Sequence, residues 1–440
     1  MDDAAPPEPR STRMAALVAW GIIAACVSLA MWSALQPARN ARLRAEPPTT
    51  QRDLQLRYAV GIYELMSTAG SGVLEQVDSD LASPGSQLRV APVAGHLLGG
   101  DEAVRRLDAL AVHPDLGDDP VLLKRIYRDG PASLSNEERT ALADRLGWSG
   151  ELALIHGAPS DDAQRAVVLG AAKRTALTLV GAIVFAIALL VTGIIVAMVL
   201  IVRWNDGRLR GAYPTPQLVA TRHGSACIEG FAVYLVTFIA SGKLLGMVPG
   251  AGLSATWLYL PVVPLVLVAT VRRGMAWSDL RQAIGWHRGR GIGREVGAGL
   301  LGWLAGVPLI ALSLMATMAL SRHYPASHPI EQVLVGADAL TLLAMGALAS
   351  IFAPIVEETM FRGLLFHHLR TRWAWLPAAL ISSLIFAMLH PQGIAALPAL
   401  TSVALVLAAI RAWRGSLIAP IAAHALHNGL LLVVVVLSLG

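Results

Sequence analysis

Apolar residues in this chain fall in long runs rather than alternating with polar ones. Runs lie near 14–35, 174–202, 226–248, 253–271, 295–320, 337–360, 375–390, 394–411 and 416–438. Crossing the hydrocarbon layer takes about 20 helical residues, so the pattern predicts nine candidate spans. The 375–390 and 394–411 runs are short, and Pro391 and Pro398 interrupt the pair, which also permits a re-entrant arrangement. The first run follows Arg10 and Arg13, exceeds the apolar core of a signal peptide, and lacks a small-x-small site before Gln36. It reads as an uncleaved anchor.

Between the first two runs the pattern changes. Residues 36–173 read as a polar extramembrane domain with helical periodicity at 53–66 and 101–112. A further helix is expected from Ser135, with Glu138 at capping-box spacing. Pro and Gly clusters at 91–100, 114–120 and 157–159 are expected to break these helices. No catalytic motif is visible there.

Composition supports the same class. Hydrophobic residues make up 55% and charged residues 15%, against roughly 45–50% and 25% in soluble domains. Charge is divided unevenly: residues 36–172 hold 19 of the 30 acidic and 14 of the 35 basic residues, so that segment is net acidic and the remainder strongly basic. The fold class expected is all-α, a polytopic transmembrane helix bundle of about nine spans with an inserted helical soluble domain. Cys26 and Cys227 are too few for a disulfide framework or a thiolate metal site.

Basic residues in short loops set orientation. Arg203, Arg208, Arg210 and Arg222 follow the second run, and Arg272, Arg273, Arg281, Arg288, Arg290 and Arg294 the fourth; Arg370 and Arg372 follow the sixth, and Arg411 and Arg414 the eighth. They place the N-terminus in the cytoplasm, with the 36–173 domain and the C-terminus outside. Arg39, Arg42, Arg44, Arg52 and Arg57 argue the other way.

From 174 onward there are eight acidic residues, and two of them, Glu357 and Glu358, are adjacent inside an apolar run. A carboxylate at membrane depth costs about 2.5–3.5 kcal/mol on insertion scales, so such a residue is a functional candidate by default. On a helix Glu358 can pair with Arg362 four residues on, while Glu357 points about 100° away and stays untethered. Phe386 and His390 lie four apart on the next run, and His424 and Asn428 four apart on the last. A helical rise of ~1.5 Å per residue puts Glu357, His390, His424 and Asn428 within one slab, roughly 14–24 Å from the cytoplasmic loops. One polar cavity is therefore geometrically allowed.

Such a set can hydrolyse an amide. A carboxylate beside an imidazole deprotonates water, and a second imidazole with an amide N–H stabilises an oxyanion. Glu357, His390 and His424 are also ligand types for a divalent metal such as zinc, although the His-Glu-x-x-His pattern is absent.

Glu357-Glu358-Thr-Met-Phe-Arg362-Gly, then Phe386-x-x-x-His390, then His424-x-x-x-Asn428 resemble the three ordered motifs of the CPBP family, the CAAX prenyl endopeptidases and bacteriocin-processing or immunity proteins. The resemblance covers roughly 280–438. It implies that Glu357 activates water, His390 assists it, His424 and Asn428 stabilise the oxyanion, Glu358 and Arg362 form a supporting pair, and Phe386 walls the pocket. Family members have been described both as metalloproteases and as glutamate-dependent enzymes. The organisation expected is a tail and anchor at 1–35, the polar domain at 36–173, spans two to four with a basic loop at 174–280, and a protease-like core at 281–440. Implied partners are the bilayer, taken as a bacterial inner membrane, and a membrane-embedded or lipid-modified peptide, with no nucleic acid. The rival readings are an inactive immunity or export partner and a proton-coupled transporter; the internal symmetry that a transporter predicts is not seen.

Remaining candidates have plainer readings. His367 and His368 are expected at the membrane interface, His427 in core packing, and Glu229 and Lys243 in polar cavities or snorkelling. Trp204, Trp257, Trp286, Trp303, Trp373, Trp375 and Trp413 read as interface anchors. Gly-Arg-Gly-Ile-Gly at 289–293 reads as a flexible basic connector, since no strand precedes it.

Overall fold

A computed structural model describes residues 10–36, 49–66, 70–81, 83–213, 225–246, 261–324 and 338–439, and every regular element among them is helical. Expectations resting on Arg39, Arg42, Arg44, Arg222, Trp257 and the start of the 253–271 run lie outside the described residues. The helices are α1 (Arg10–Leu35), α2 (Thr49–Met66), α3 (Gly70–Asp80), α4 (Pro84–Leu98), α5 (Gly100–Leu110), α6 (Asp119–Asp129), α7 (Asn136–Leu146), α8 (Trp148–Leu154) and α9 (Ala163–Asn205). They continue as α10 (Ala226–Gly246), α11 (Val262–Arg272), α12 (Trp277–Ile284), α13 (Ile292–Ser321), α14 (Ala339–Arg370), α15 (Trp375–Leu389), α16 (Leu397–Arg414) and α17 (Ile418–Leu439).

Among the described residues, six helical stretches are long and apolar enough to cross a membrane: Thr12–Leu35, Ala163–Asn205, Ala226–Lys243, Ile292–Ser321, Ala339–Arg370 and Ile394–Arg414. Val262–Arg272, Trp375–Leu389 and Ile418–Val434 are apolar but shorter. Helix among the described residues lies within each of the nine expected runs, and in six of them it is long and apolar enough to cross. Along α9, Ile183, Phe185, Ile187, Val191 and Ile195 are each more than half exposed. Water would penalise that surface, whereas lipid covers it without cost. The chain is an integral membrane protein.

The chain divides into two compact units, Met1–Leu43 with Ile187–Val433, and Arg44–Ala186 with Val434–Gly440. The boundary falls inside α9, because one continuous helix begins at Ala163 and runs on through the apolar stretch.

The second unit is built from α2–α8 and the start of α9. Leu56, Val60, Val93, Trp148 and Leu169 fill one core, and Leu107, Leu123, Ile126 and Leu142 another. The capping box forms in full: Glu138 N–H donates to Ser135 Oγ at 3.1 Å, and Ser135 N–H donates to the Glu138 carboxylate at 2.7 Å. The 91–100 cluster departs from expectation. α4 runs straight through Pro92 and stops only at Gly99, whose φ of +103° suits glycine alone.

In the first unit α13, α14, α15, α16 and α17 surround the residues singled out above. Gly299, Gly302 and Gly306 on α13 give close packing: a Cβ at Gly299 would strike the Ala419 carbonyl, and one at Gly302 or Gly306 would strike Ile410 or Val406. Small residues at such crossings let membrane helices approach backbone to backbone.

Candidate active site

α14 is not a uniform α-helix. Residues Leu348–Phe352 and Glu358–Leu365 form π-type turns, with Ala353–Glu357 α-helical between them. Ala353 N–H reaches back to Leu348 O, so the next donor in that register would be residue 354. Residue 354 is proline and has no N–H. Ala349 O is thus left without a backbone donor, and the Asn428 side-chain amide supplies one at 2.8 Å. A side chain on the last helix thereby closes a gap one turn before the carboxylates. π-type turns are rare and concentrate at functional sites.

Glu358 is fully buried, and its Oε1 accepts from Arg362 Nη1 at 2.9 Å and from His424 Nδ1 at 2.9 Å. Its Oε2 has no hydrogen-bond partner. Arg362 is buried too, donates Nη2 to Ala404 O at 2.8 Å, and lies 4.8 Å over the Phe386 ring. The i,i+4 pair predicted from spacing is formed. Glu357 is the freer carboxylate, 24% exposed, and its Oε2 lies 3.7 Å from His424 Nε2. That gap exceeds direct hydrogen-bonding distance.

Donor bookkeeping assigns the imidazoles. A carboxylate held by Arg362 only accepts, so His424 Nδ1 carries the proton toward Glu358, leaving Nε2 to face Glu357. His390 Nδ1 faces the Phe386 carbonyl at 2.7 Å, so it donates there and leaves Nε2 as a bare acceptor. His390 does not sit on the helix as its spacing to Phe386 suggests. α15 ends at Leu389, and His390 is extended at φ −80°, ψ 140°. Pro391 explains this, since a residue before proline is pushed out of the α region. The two rings still touch, tilted by 42° with centroids 4.1 Å apart.

The structure therefore brings Glu357, Glu358, Arg362, Phe386 and His424 together and joins His390 to them through Phe386. Asn428 bonds to Ala349 rather than to any of these. The metal option is not supported. No three His, Cys, Asp or Glu side chains among the described residues are grouped to hold a metal ion.

Several supports were invisible in the sequence. Arg411, read as a loop cation, is 1% exposed and donates to Arg362 O at 3.3 Å, Ala283 O at 3.0 Å and Gly415 O, while stacking on Tyr213 at 4.8 Å. Arg414 is paired with buried Glu295 at 2.7 Å. Trp286, read as an interface anchor, donates its indole N–H to Thr359 Oγ1 at 3.1 Å, beside Glu358. His367 and His368 are buried in the protein: His367 bonds Tyr213 at 2.8 Å, and His368 packs against Trp20. His427 accepts from Trp303 at 3.4 Å, as core packing requires, and Glu229 pairs with Arg273 at 2.7 Å.

Residues 339–430 match the family described as type II CAAX prenyl endopeptidase Rce1-like. This supports the resemblance to the CPBP and CAAX proteases over the segment that carries all three motifs. A curated Escherichia coli relative, named "Uncharacterized 24.3 kDa protein", is 37% identical over 89 residues, which are 19% of this chain and 39% of the relative. The chain thus spans well under half of that relative's length. No solved structure matches the chain.

Proposed function

We propose that the first unit is an intramembrane endopeptidase that uses Glu357 to activate water against a membrane-associated or lipid-modified peptide. The observation that carries this reading is the contrast within the glutamate pair. Glu358 is saturated on one oxygen by Arg362 and His424, while Glu357 is left open opposite His424 Nε2. A buried, partly unsatisfied polar cluster is costly and calls for a use.

In this reading a water lies beside Glu357 and His390. Glu357 takes one proton as the water oxygen bonds to the scissile carbonyl carbon, and His390 Nε2 accepts from the second hydrogen. The carbonyl oxygen becomes an oxyanion, stabilised by the second Asn428 N–H and by His424 when its Nε2 is protonated. Glu357 then returns its proton to the amide nitrogen as the C–N bond breaks, giving a free amine and a new carboxylate. Glu358, bound to Arg362, orients His424 throughout. No step uses a metal.

An inactive immunity protein would need none of this open polar capacity at depth, and no observation favours a transport path. The test is cleavage of lipid-modified and unmodified peptides by purified full-length protein in vesicles, followed by mass spectrometry. Cleavage that disappears in Glu357→Gln supports the reading, and equal cleavage by that variant overturns it.

A further inference from the structure

The second unit contains a cleft unconnected with this chemistry. Tyr63 and Glu64 of α2, His96 of α4, Tyr127 of α6, His156 after α8 and Arg165 of α9 line about 370 Å³. That lies at the small end of ligand sites, which run to roughly 300–1,000 Å³.

Its charges do not cancel. The Glu64 carboxylate is already used, Oε1 by His96 Nε2 at 2.9 Å and Oε2 by Lys173 Nζ at 3.2 Å. The His156 ring is held against Tyr127, centroids 4.6 Å apart, and neither its nitrogens nor the Arg165 guanidinium has a hydrogen bond or ion pair among the described residues. Burial, reinforced by His96, holds the His156 imidazole below its ordinary pKa. It therefore offers a neutral N–H donor near neutral pH, while Arg165 is always charged. The cleft thus presents one permanent positive charge and a spare donor between two aromatic side chains, with Leu152 and Ile155 as apolar lining. Glu64 and the two imidazoles do not form a metal site, since no such three-ligand group exists among the described residues.

We propose that this cleft binds a small oxyanion-bearing ligand, a carboxylate or phosphate, through Arg165 and His156, with Tyr63 and Tyr127 flanking its body. The inference does not depend on the proteolytic reading. The test is isothermal titration of detergent-solubilised full-length protein at neutral pH with inorganic phosphate and, separately, with succinate. Saturable binding of at least one is expected, and which one binds identifies the headgroup. Arg165→Gln should weaken it by about tenfold or more, the scale of a charged hydrogen bond, and His156→Gln should weaken it less. Glu357→Gln should bind like the parent. Binding of neither anion, or binding that survives both Arg165→Gln and His156→Gln unchanged, overturns the proposal. Circular dichroism of each variant identifies any loss that reflects unfolding, and the folded variant then decides.

Discussion

Each unit holds a glutamate and a histidine in contact at 2.9 Å, Glu64 with His96 and Glu358 with His424. The contacts look alike, but their surroundings differ. Glu64 spends one oxygen on His96 and the other on Lys173. Glu358 crowds Arg362 and His424 onto one oxygen, leaves the other without a partner, and sits beside a second carboxylate 3.7 Å from the same imidazole. The first is a closed ion cluster that holds helices together. The second keeps spare capacity in an apolar bundle, where spare capacity is most expensive. A Glu–His contact is therefore not diagnostic; what its partners leave unused is. The same reasoning separates the closed Glu64 pair from the open Arg165 and His156 beside it.

The sharpest break between the two regions is in turnover. Glu357→Gln removes the proposed base and should lower cleavage by ~10²–10⁴-fold, the usual range for general base catalysis, with the unfolding midpoint unchanged. Glu64→Gln should leave the cleavage rate alone. Arg362→Ala comes next, because stripping one partner from a buried pair costs about 3–5 kcal/mol. The matching change Arg128→Ala removes an exposed partner of the exposed Asp108 and should cost under about 1 kcal/mol. Denaturant unfolding of both variants measures the difference.

Asn428→Ala should cost about 1–3 kcal/mol by stranding the Ala349 carbonyl, and cleavage should fall as the carboxylate turn loosens. Adding Pro354→Ala restores a backbone N–H and should recover part of that stability. If Asn428 acts on the substrate alone, the second change recovers nothing.

The smallest effect concerns pH. Burial raises the Glu64 pKa, but hydrogen bonds from His96 and Lys173 outweigh it and hold the carboxyl below its ordinary range. A depressed folded pKa gives stability that is present above the unfolded value of about 4.3 and lost as pH falls through the lower folded value. Glu64→Gln should therefore flatten the acid limb of the stability curve and cost about 0.5–1.5 kcal/mol at neutral pH. An unchanged acid limb would show that Glu64 is not held as described.

What the sequence made legible was local. Glu358 and Arg362 sit four apart, Ser135 and Glu138 three apart, and each pair formed where spacing placed it. The apolar runs marked the helices because lipid imposes length and composition directly. Spacing failed at His390, where Pro391 overrode helical periodicity, and at Pro92, which α4 absorbed. Contacts between distant segments had no sequence signal. Arg411 meets the Arg362 carbonyl across 49 positions, Trp286 meets Thr359 across 73, and His424 meets Glu358 across 66. The Asn428 bond to Ala349 could have been anticipated only as a missing donor at Pro354, with nothing to say which side chain would supply it.

The most direct test of the central claim, that Glu357 activates water rather than attacking the peptide itself, is a single turnover in ¹⁸O-water with enzyme in excess over peptide. The account predicts one ¹⁸O in the new peptide carboxylate and none in Glu357. Label found in the Glu357 side chain, with unlabelled product, would mean that the carboxylate attacks directly, and would contradict it.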